Sequence, residues 1–318
     1  MGATFRELPT SFGEALQLAV QLLERNHALV ARGGVLAEAE MIVCAAYRVA
    51  TSKQIRRTDL YLRIQDRYPD GAGDKLIEFA VARSEGKLLQ HLFGYQYFGD
   101  HEYRVNSAVL VPRPETELLL LEAMDQLGRE TAPPELGIEI GLGSGILSIE
   151  LLARWGGLRM IATELSDGAL QVARENSVGI LGEGAARRLT ALRVEKAEVC
   201  APVARHFATE GFGKADFLIS NPPYLLNASE ADDEVVAHEP AEALFAPPSD
   251  PLFFYREIAE NAQGLLKPGA PVFVEIAHER VAETEALFKK CGWDSMVRND
   301  LANRPRVLVA RKGSQAHG

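Results

Sequence analysis

Cysteine is scarce in this chain: Cys44, Cys200 and Cys291 are the only three in 318 residues, far apart and without paired spacing. That excludes a disulfide framework and a paired-cysteine metal site, and it fits a reducing compartment. No stretch reaches the roughly 20 apolar residues of a membrane span, so no membrane association is expected. Basic residues are in deficit, with 34 Lys and Arg against 44 Asp and Glu and a formal net charge of -10. A chain this acidic is not held to nucleic acid by bulk electrostatics, which needs clustered cations to displace counterions. Direct nucleic-acid binding is therefore not expected. Met1 to Thr10 lacks a basic-then-apolar leader, which makes the cytoplasm the expected location. His91, His101, His238 and His278 show no ligand spacing, so no metal is expected. Internal repeats and low-complexity runs are missing too.

What is present is ordinary globular composition, 47% hydrophobic and 25% charged, in a length suited to roughly two domains. From Ser11 to about Gly86, apolar residues recur at helical spacing. The stripes are Ala15, Leu16, Ala19, Leu22 and Leu23; then Leu36, Ala39, Ile42, Val43 and Ala46; then Leu76, Ile77, Phe79, Ala80 and Ala82. Ser11 with Glu14 offers a capping box, and Tyr68-Pro69-Asp70-Gly71 is turn chemistry. Residues 1–86 are expected to form a small helical domain. Residues 87–113 read as a linker, with a β-hairpin folding Tyr95 to Phe98 onto Glu102 to Val105 around Gly99-Asp100.

Residues 114–318 alternate strands with helices. The expected strands are Gly137 to Ile140, Met160 to Thr163, Leu192 to Val194, Phe217 to Ser220, Val272 to Ile276 and Val307 to Ala310. The helices are Leu118 to Leu127, Ile146 to Ala153, Gly168 to Val178, Leu252 to Leu266 and Val281 to Cys291. Such alternation gives an α/β fold with a doubly wound sheet. Gly313 to Gly318 reads as a loose tail.

Two loops carry the chemistry. Glu139-Ile-Gly141-Leu-Gly143-Ser-Gly145 lies between a strand and a helix, where an α/β sheet binds its ligand. Glycines there let the backbone turn tightly and approach a ligand without a Cβ in the way. Ile146 stands where the dinucleotide fingerprint requires glycine, and no Gly-Lys-Ser/Thr follows, which excludes a P-loop. An acid two residues before the first glycine instead resembles motif I of the S-adenosylmethionine methyltransferases, whose cofactor presents a cationic amine and a sulfonium. Glu164 ends the second strand, where an acid accepts from both ribose hydroxyls. Glu198 and Val199 follow the third strand and are candidates for the adenine. Glu195 lies close to Glu198, and either acid fills that role or remains a solvated loop charge.

The second loop is Asn221-Pro222-Pro223-Tyr224, directly after Phe217 to Ser220. Its prolines fix φ, hold Asn221 extended and remove two backbone donors, so the loop exposes acceptors. The Asn221 side-chain oxygen and the Pro222 carbonyl can accept both N–H bonds of a planar amide or exocyclic amine. Tyr224 offers a face on which that group can stack. Asn221, Pro222 and Tyr224 are the candidate catalytic residues, Asn221 through Tyr224 the substrate contacts, and Asn221 also a candidate cofactor contact. Such a site suits methylation of a poor nitrogen nucleophile by orientation and N–H polarisation rather than by a strong base.

With these residues in place, the chain resembles the HemK-type protein-(glutamine-N5) methyltransferases, which modify peptide chain release factors. The resemblance spans nearly the whole sequence. It includes the N-terminal helical domain, Phe93-Gly94-Tyr95-Gln96-Tyr97-Phe98 and Val111-Pro-Arg-Pro-Glu-Thr-Glu117. It also includes Asn221 to Tyr224, His238-Glu239-Pro240, Phe254-Tyr255-Arg256 and Arg304-Pro-Arg306-Val307. It implies a methyltransferase fold, S-adenosylmethionine bound by Gly141, Gly143, Gly145 and Glu164, and a target glutamine in the Gly-Gly-Gln loop of a release factor held by Asn221 to Tyr224. The N-terminal domain would recognise the partner. The chain departs from the family pattern in Glu139 and Glu164 for Asp, in Glu198-Val199-Cys200, in Ala246 to Pro251, and in Ala277 and Asn303 for Gly. A ribosomal-protein glutamine methyltransferase is the second reading, a nucleic-acid amino methyltransferase the third and a non-catalytic binding module the last.

Overall fold

The computed structural model describes residues 8–195 and 198–312. The tail read from Gly313 onward and the first seven residues lie outside that range. The chain divides into two compact units, Met1–Gly94 and Tyr95–Gly318. The segment 87–113 is thus shared: helix Leu89–Phe93 falls in the first unit and the hairpin in the second.

The described part of the first unit is built on helices Phe12–Leu23, Val35–Thr51 and Ala72–Ser84, the three apolar stripes of the sequence. Ala15, Ala19, Ala39, Ala46 and Ala80 are fully buried among Phe12, Leu22, Leu23, Ile42, Val43 and Leu76. The alanines let the helices approach closely, and the large side chains fill the space between them. Tyr68 is buried edge-on against Phe12 and donates its hydroxyl to the Val43 carbonyl at 3.0 Å. Half of the expected capping box forms. Ser11 accepts from the Glu14 amide, but the Glu14 carboxylate reaches one residue further back, to the amide and hydroxyl of Thr10. Helices His27–Arg32 and Arg57–Leu62 are too short to leave a periodic stripe.

The second unit opens with the antiparallel hairpin β1 (Tyr95–Phe98) and β2 (His101–Arg104). Tyr103 and His101 both reach the Glu150 carboxylate, at 2.9 and 2.8 Å, and so fasten the hairpin to helix Ile146–Arg154. The main sheet contains β3 (Leu136–Ile140), β4 (Arg159–Glu164), β5 (Leu189–Arg193), β6 (Phe217–Ser220), β7 (Pro271–Glu275), β8 (Trp293–Asn299) and β9 (Pro305–Lys312). Their order is β5-β4-β3-β6-β7-β9-β8, parallel from β5 through β7, with β9 antiparallel to both its neighbours. β3, β6 and β7 are buried along their whole length, as expected where helices cover both faces.

β8 was not legible in the sequence, because an edge strand of alternating exposure carries no apolar run. β5 begins earlier than expected for the same reason. The helix expected over Leu252 to Leu266 ends at Asn261 and continues as the short 3-10 turn Ala262–Gly264. Helix Pro114–Gly128 starts with Pro114 in its first turn, where a missing N–H costs nothing. Asn303, which stands for a family glycine, takes φ +60 in the β8–β9 turn, a conformation asparagine tolerates.

Candidate active site

The chain order steps from β3 out to β5 on one side, then returns to β6 and moves the other way. The crevice beyond the carboxyl ends of β3 and β6 is therefore the switch point where such sheets bind ligands. Both singled-out loops leave the sheet here. They border one cavity of about 1020 Å³, at the top of the range for small-molecule sites. Its wall includes Glu139, Gly141, Gly143, Glu164, Glu198, Val199, Asn221, Pro222 and Pro223.

The glycine loop turns in the left-handed region at Gly141, Gly143 and Gly145, with φ of +80, +55 and +87. A Cβ on Gly145 would stand 2.9 Å from the Ile149 side chain, so this glycine permits close packing at the helix start. A Cβ on Gly143 would meet no protein atom within 4 Å. That position is open toward the cavity, and its φ also favours glycine. The Gly141 and Leu142 amides share the Thr163 carbonyl at 3.1 and 2.9 Å. The Gly143 amide donates to Glu164 at 2.8 Å, and the other Glu164 oxygen accepts from Ser166 at 2.9 Å. Glu164 thus braces the loop it faces.

Glu139 is 1% exposed, and its carboxylate accepts from the amide and hydroxyl of Ser148 at the start of the next helix. Burial pushes its pKa up to about 8, and Glu164 adds repulsion. Among the described residues, no ion pair reaches it, and the charged group that acts on it is Glu164. A buried carboxylate on a cavity wall without a basic partner fits a ligand that brings its own positive charge. On the far rim Glu198 pairs with Arg205 at 2.7 Å, which holds its carboxyl below the usual range. Val199, with Leu165 and Val194, supplies apolar wall beside it.

Across the crevice, the Ser220 hydroxyl donates to the Ile140 carbonyl at 2.8 Å and ties the end of β6 to the end of β3. Asn221 donates its side-chain N–H to the Thr116 hydroxyl at 3.1 Å, and Thr116 donates to Glu275 at 2.8 Å. Pro222 and Pro223 line the cavity; Tyr224 does not. Its ring packs against the core and its hydroxyl faces the other Glu275 oxygen at 3.5 Å. One side of the ring is therefore taken up by the protein. Glu275 is buried at the end of β7, and desolvation raises its pKa to about 7.

Thr116 and Glu275 were not singled out by sequence reasoning. The available signals were an acid ending a wholly apolar strand and a threonine inside the Pro-Arg-Pro-Glu-Thr-Glu run. The same run is anchored by Glu239, which accepts from the Val111 amide at 2.9 Å and from Arg113 at 2.6 Å. Ala246 to Asp250, where the chain departs from the family pattern, borders the cavity too. Of the histidines weighed earlier, His101 serves the hairpin and His238 caps its own short helix on the Glu234 carbonyl.

No protein-family model matches the chain. The release factor glutamine methyltransferase of Mycolicibacterium smegmatis is 36% identical over 235 residues, covering 73% of this chain and 77% of that protein. That of Chlorobaculum tepidum is 33% identical over 231 residues, covering 71% and 75%. Among solved structures, the human METTL16 catalytic domain bound to a MAT2A 3′UTR hairpin aligns at a TM-score of 0.50 and 17% identity, over 75% of this chain and 83% of that one. That likeness is one of fold. Among the described residues, no helix is long and apolar enough to cross a membrane. Identity at this level over more than two thirds of both proteins, on a methyltransferase fold, leaves one conclusion: the chain belongs to the release factor glutamine methyltransferases.

Proposed function

We infer that this protein transfers a methyl group from S-adenosylmethionine to the side-chain amide nitrogen of a protein glutamine, that of the Gly-Gly-Gln loop in peptide chain release factors. The observation that carries the reading is Asn221. Its N–H is committed to Thr116, so its side-chain oxygen is left as the acceptor on the wall of a cavity shared with the glycine loop.

S-adenosylmethionine supplies a methyl group on a positively charged sulfur that departs as a neutral thioether. Glu139 would hold its amine, Gly141 and Gly143 would lie against its chain, Glu164 would take the ribose hydroxyls, and Glu198 with Val199 would border the adenine. The fit rests on the buried Glu139 carboxyl, which meets no cation among the described residues, and on the open space in front of Gly143. Asn221 and the Pro222 carbonyl would accept the two N–H bonds of the glutamine amide. Held so, the amide turns its nitrogen toward the methyl group. The amide proton that the nitrogen loses on methylation would pass to water. Two accepted hydrogen bonds raise electron density on nitrogen and fix its direction, so orientation and polarisation replace a strong base. Residues 1–86 are assigned to recognition of the release factor, on the family resemblance.

The test is transfer of labelled methyl from S-adenosylmethionine to a release factor and to its variant with the Gly-Gly-Gln glutamine replaced by alanine. Label on the first and none on the second supports the reading; equal label on both refutes it.

A further inference from the structure

Asn221 can perform its part only if its amide group faces the right way. An asparagine side chain presents an acceptor on one side and a donor on the other, and a half-turn exchanges them. Turned wrongly, Asn221 would offer an N–H to the N–H of the glutamine. Something must fix the orientation.

Thr116, Glu275 and Asn221 come from three distant segments: the first turn of helix Pro114–Gly128, the end of β7 and the exit of β6. Thr116 is 1% exposed and Glu275 2%, so water does not substitute for either. In its ionised form Glu275 only accepts, and the Thr116 hydroxyl then points its proton at it, at 2.8 Å. With its proton so committed, the Thr116 oxygen has only lone pairs to offer and can only accept. The Asn221 atom at 3.1 Å from it is therefore the side-chain nitrogen, and the oxygen is forced to the opposite side. Glu275 is itself confined. Tyr224 stands at its second oxygen, Tyr255 donates to its backbone carbonyl at 3.2 Å, and Arg306 and Glu115 act on it from nearby. Tyr224 thus enters the site from behind, through Glu275.

We propose that Thr116 and Glu275 are positioning residues that set the donor and acceptor sides of Asn221, and so fix the binding-competent polarity of the acceptor loop. The proposal rests on the glutamine-methyltransferase reading for its consequence but not for its geometry. The two are separable by experiment.

Thr116→Val keeps the shape and removes the hydroxyl; Thr116→Ser restores it. With a Gly-Gly-Gln peptide as acceptor, T116V should lower kcat by about ten- to a hundredfold, the scale for misorienting one group at a reacting centre. T116S should recover most of that loss. Calorimetric affinity for S-adenosylmethionine should change little, while the melting temperature of T116V should fall because buried Glu275 loses a donor, and T116S should restore it. Independently of any substrate, the Asn221 side-chain N–H signals, assigned by their loss in N221A, should exchange slowly with water in the unaltered protein and rapidly in T116V. Unchanged exchange in T116V, or T116V turnover equal to that of T116S, overturns the proposal. If the peptide is never methylated but exchange protection depends on Thr116, the relay stands and the substrate reading fails.

Discussion

Glu139→Gln should make the ligand-free protein more stable and the ligand-bound protein harder to form. The native carboxyl is raised from 4.5 to about 8 by burial, so the folded state holds a proton that the unfolded chain releases. For a carboxyl shifted upward, the stability cost is absent below the unfolded value, grows as pH rises and is complete above the folded value. At about 1.4 kcal/mol per pH unit, the window from 4.5 to 7 amounts to at most about 3 kcal/mol, and full deprotonation to at most about 5 kcal/mol. Glutamine keeps an oxygen for the amide and hydroxyl of Ser148 and does not titrate. Urea midpoints of the two proteins should therefore coincide near pH 4.5 and diverge up to pH 8, with E139Q the more stable. In calorimetry at pH 7.5, E139Q should bind S-adenosylmethionine about a hundredfold more weakly, because the cationic amine would lose a buried counter-charge. A stability difference that is flat with pH, or unaltered affinity, would refute the reasoning.

Three further substitutions probe separate parts of the site. Asn221→Ala should abolish methyl transfer while leaving cofactor affinity within a few-fold; a comparable fall in cofactor affinity in calorimetry would place Asn221 in the cofactor site instead. Gly143→Val should block cofactor binding and cost about 1 kcal/mol in urea unfolding, since its Cβ enters open cavity space at φ +55. Normal cofactor binding by that variant would mean the loop is misread. Arg113→Ala should destabilise by about 2 kcal/mol in urea unfolding, because the wholly buried Glu239 side chain would keep only the Val111 amide. A loss under 0.5 kcal/mol, the scatter of a surface substitution, would show that the pair does not anchor the Val111 to Arg113 segment.

The parallel core was readable because apolar residues dominate its buried strands, Phe217 to Ile219 being the clearest run, and because glycine and proline fix the two loops that leave it. The edge of the sheet was not. Trp293–Asn299 alternates with polar residues, and its pairing with β9 is decided by register rather than by composition. The same contrast holds within the site. Glu139, Gly143, Glu164 and Asn221 line the cavity from positions next to strand ends, which sequence order reveals. Thr116 is joined to Asn221 across 105 residues of sequence and to Glu275 across 159, and only the fold brings the three together. Tyr224 shows what the motif alone leaves open, since Pro222 and Pro223 before it line the cavity while its own ring packs against the core.

The most direct measurement supplies methyl-labelled S-adenosylmethionine with release factor, a ribosomal protein fraction and DNA in separate reactions, and locates the label by mass spectrometry. Label on the Gly-Gly-Gln glutamine alone is the expected result. Label confined to a ribosomal protein would keep the chemistry and replace the substrate, and label on DNA alone would contradict the account.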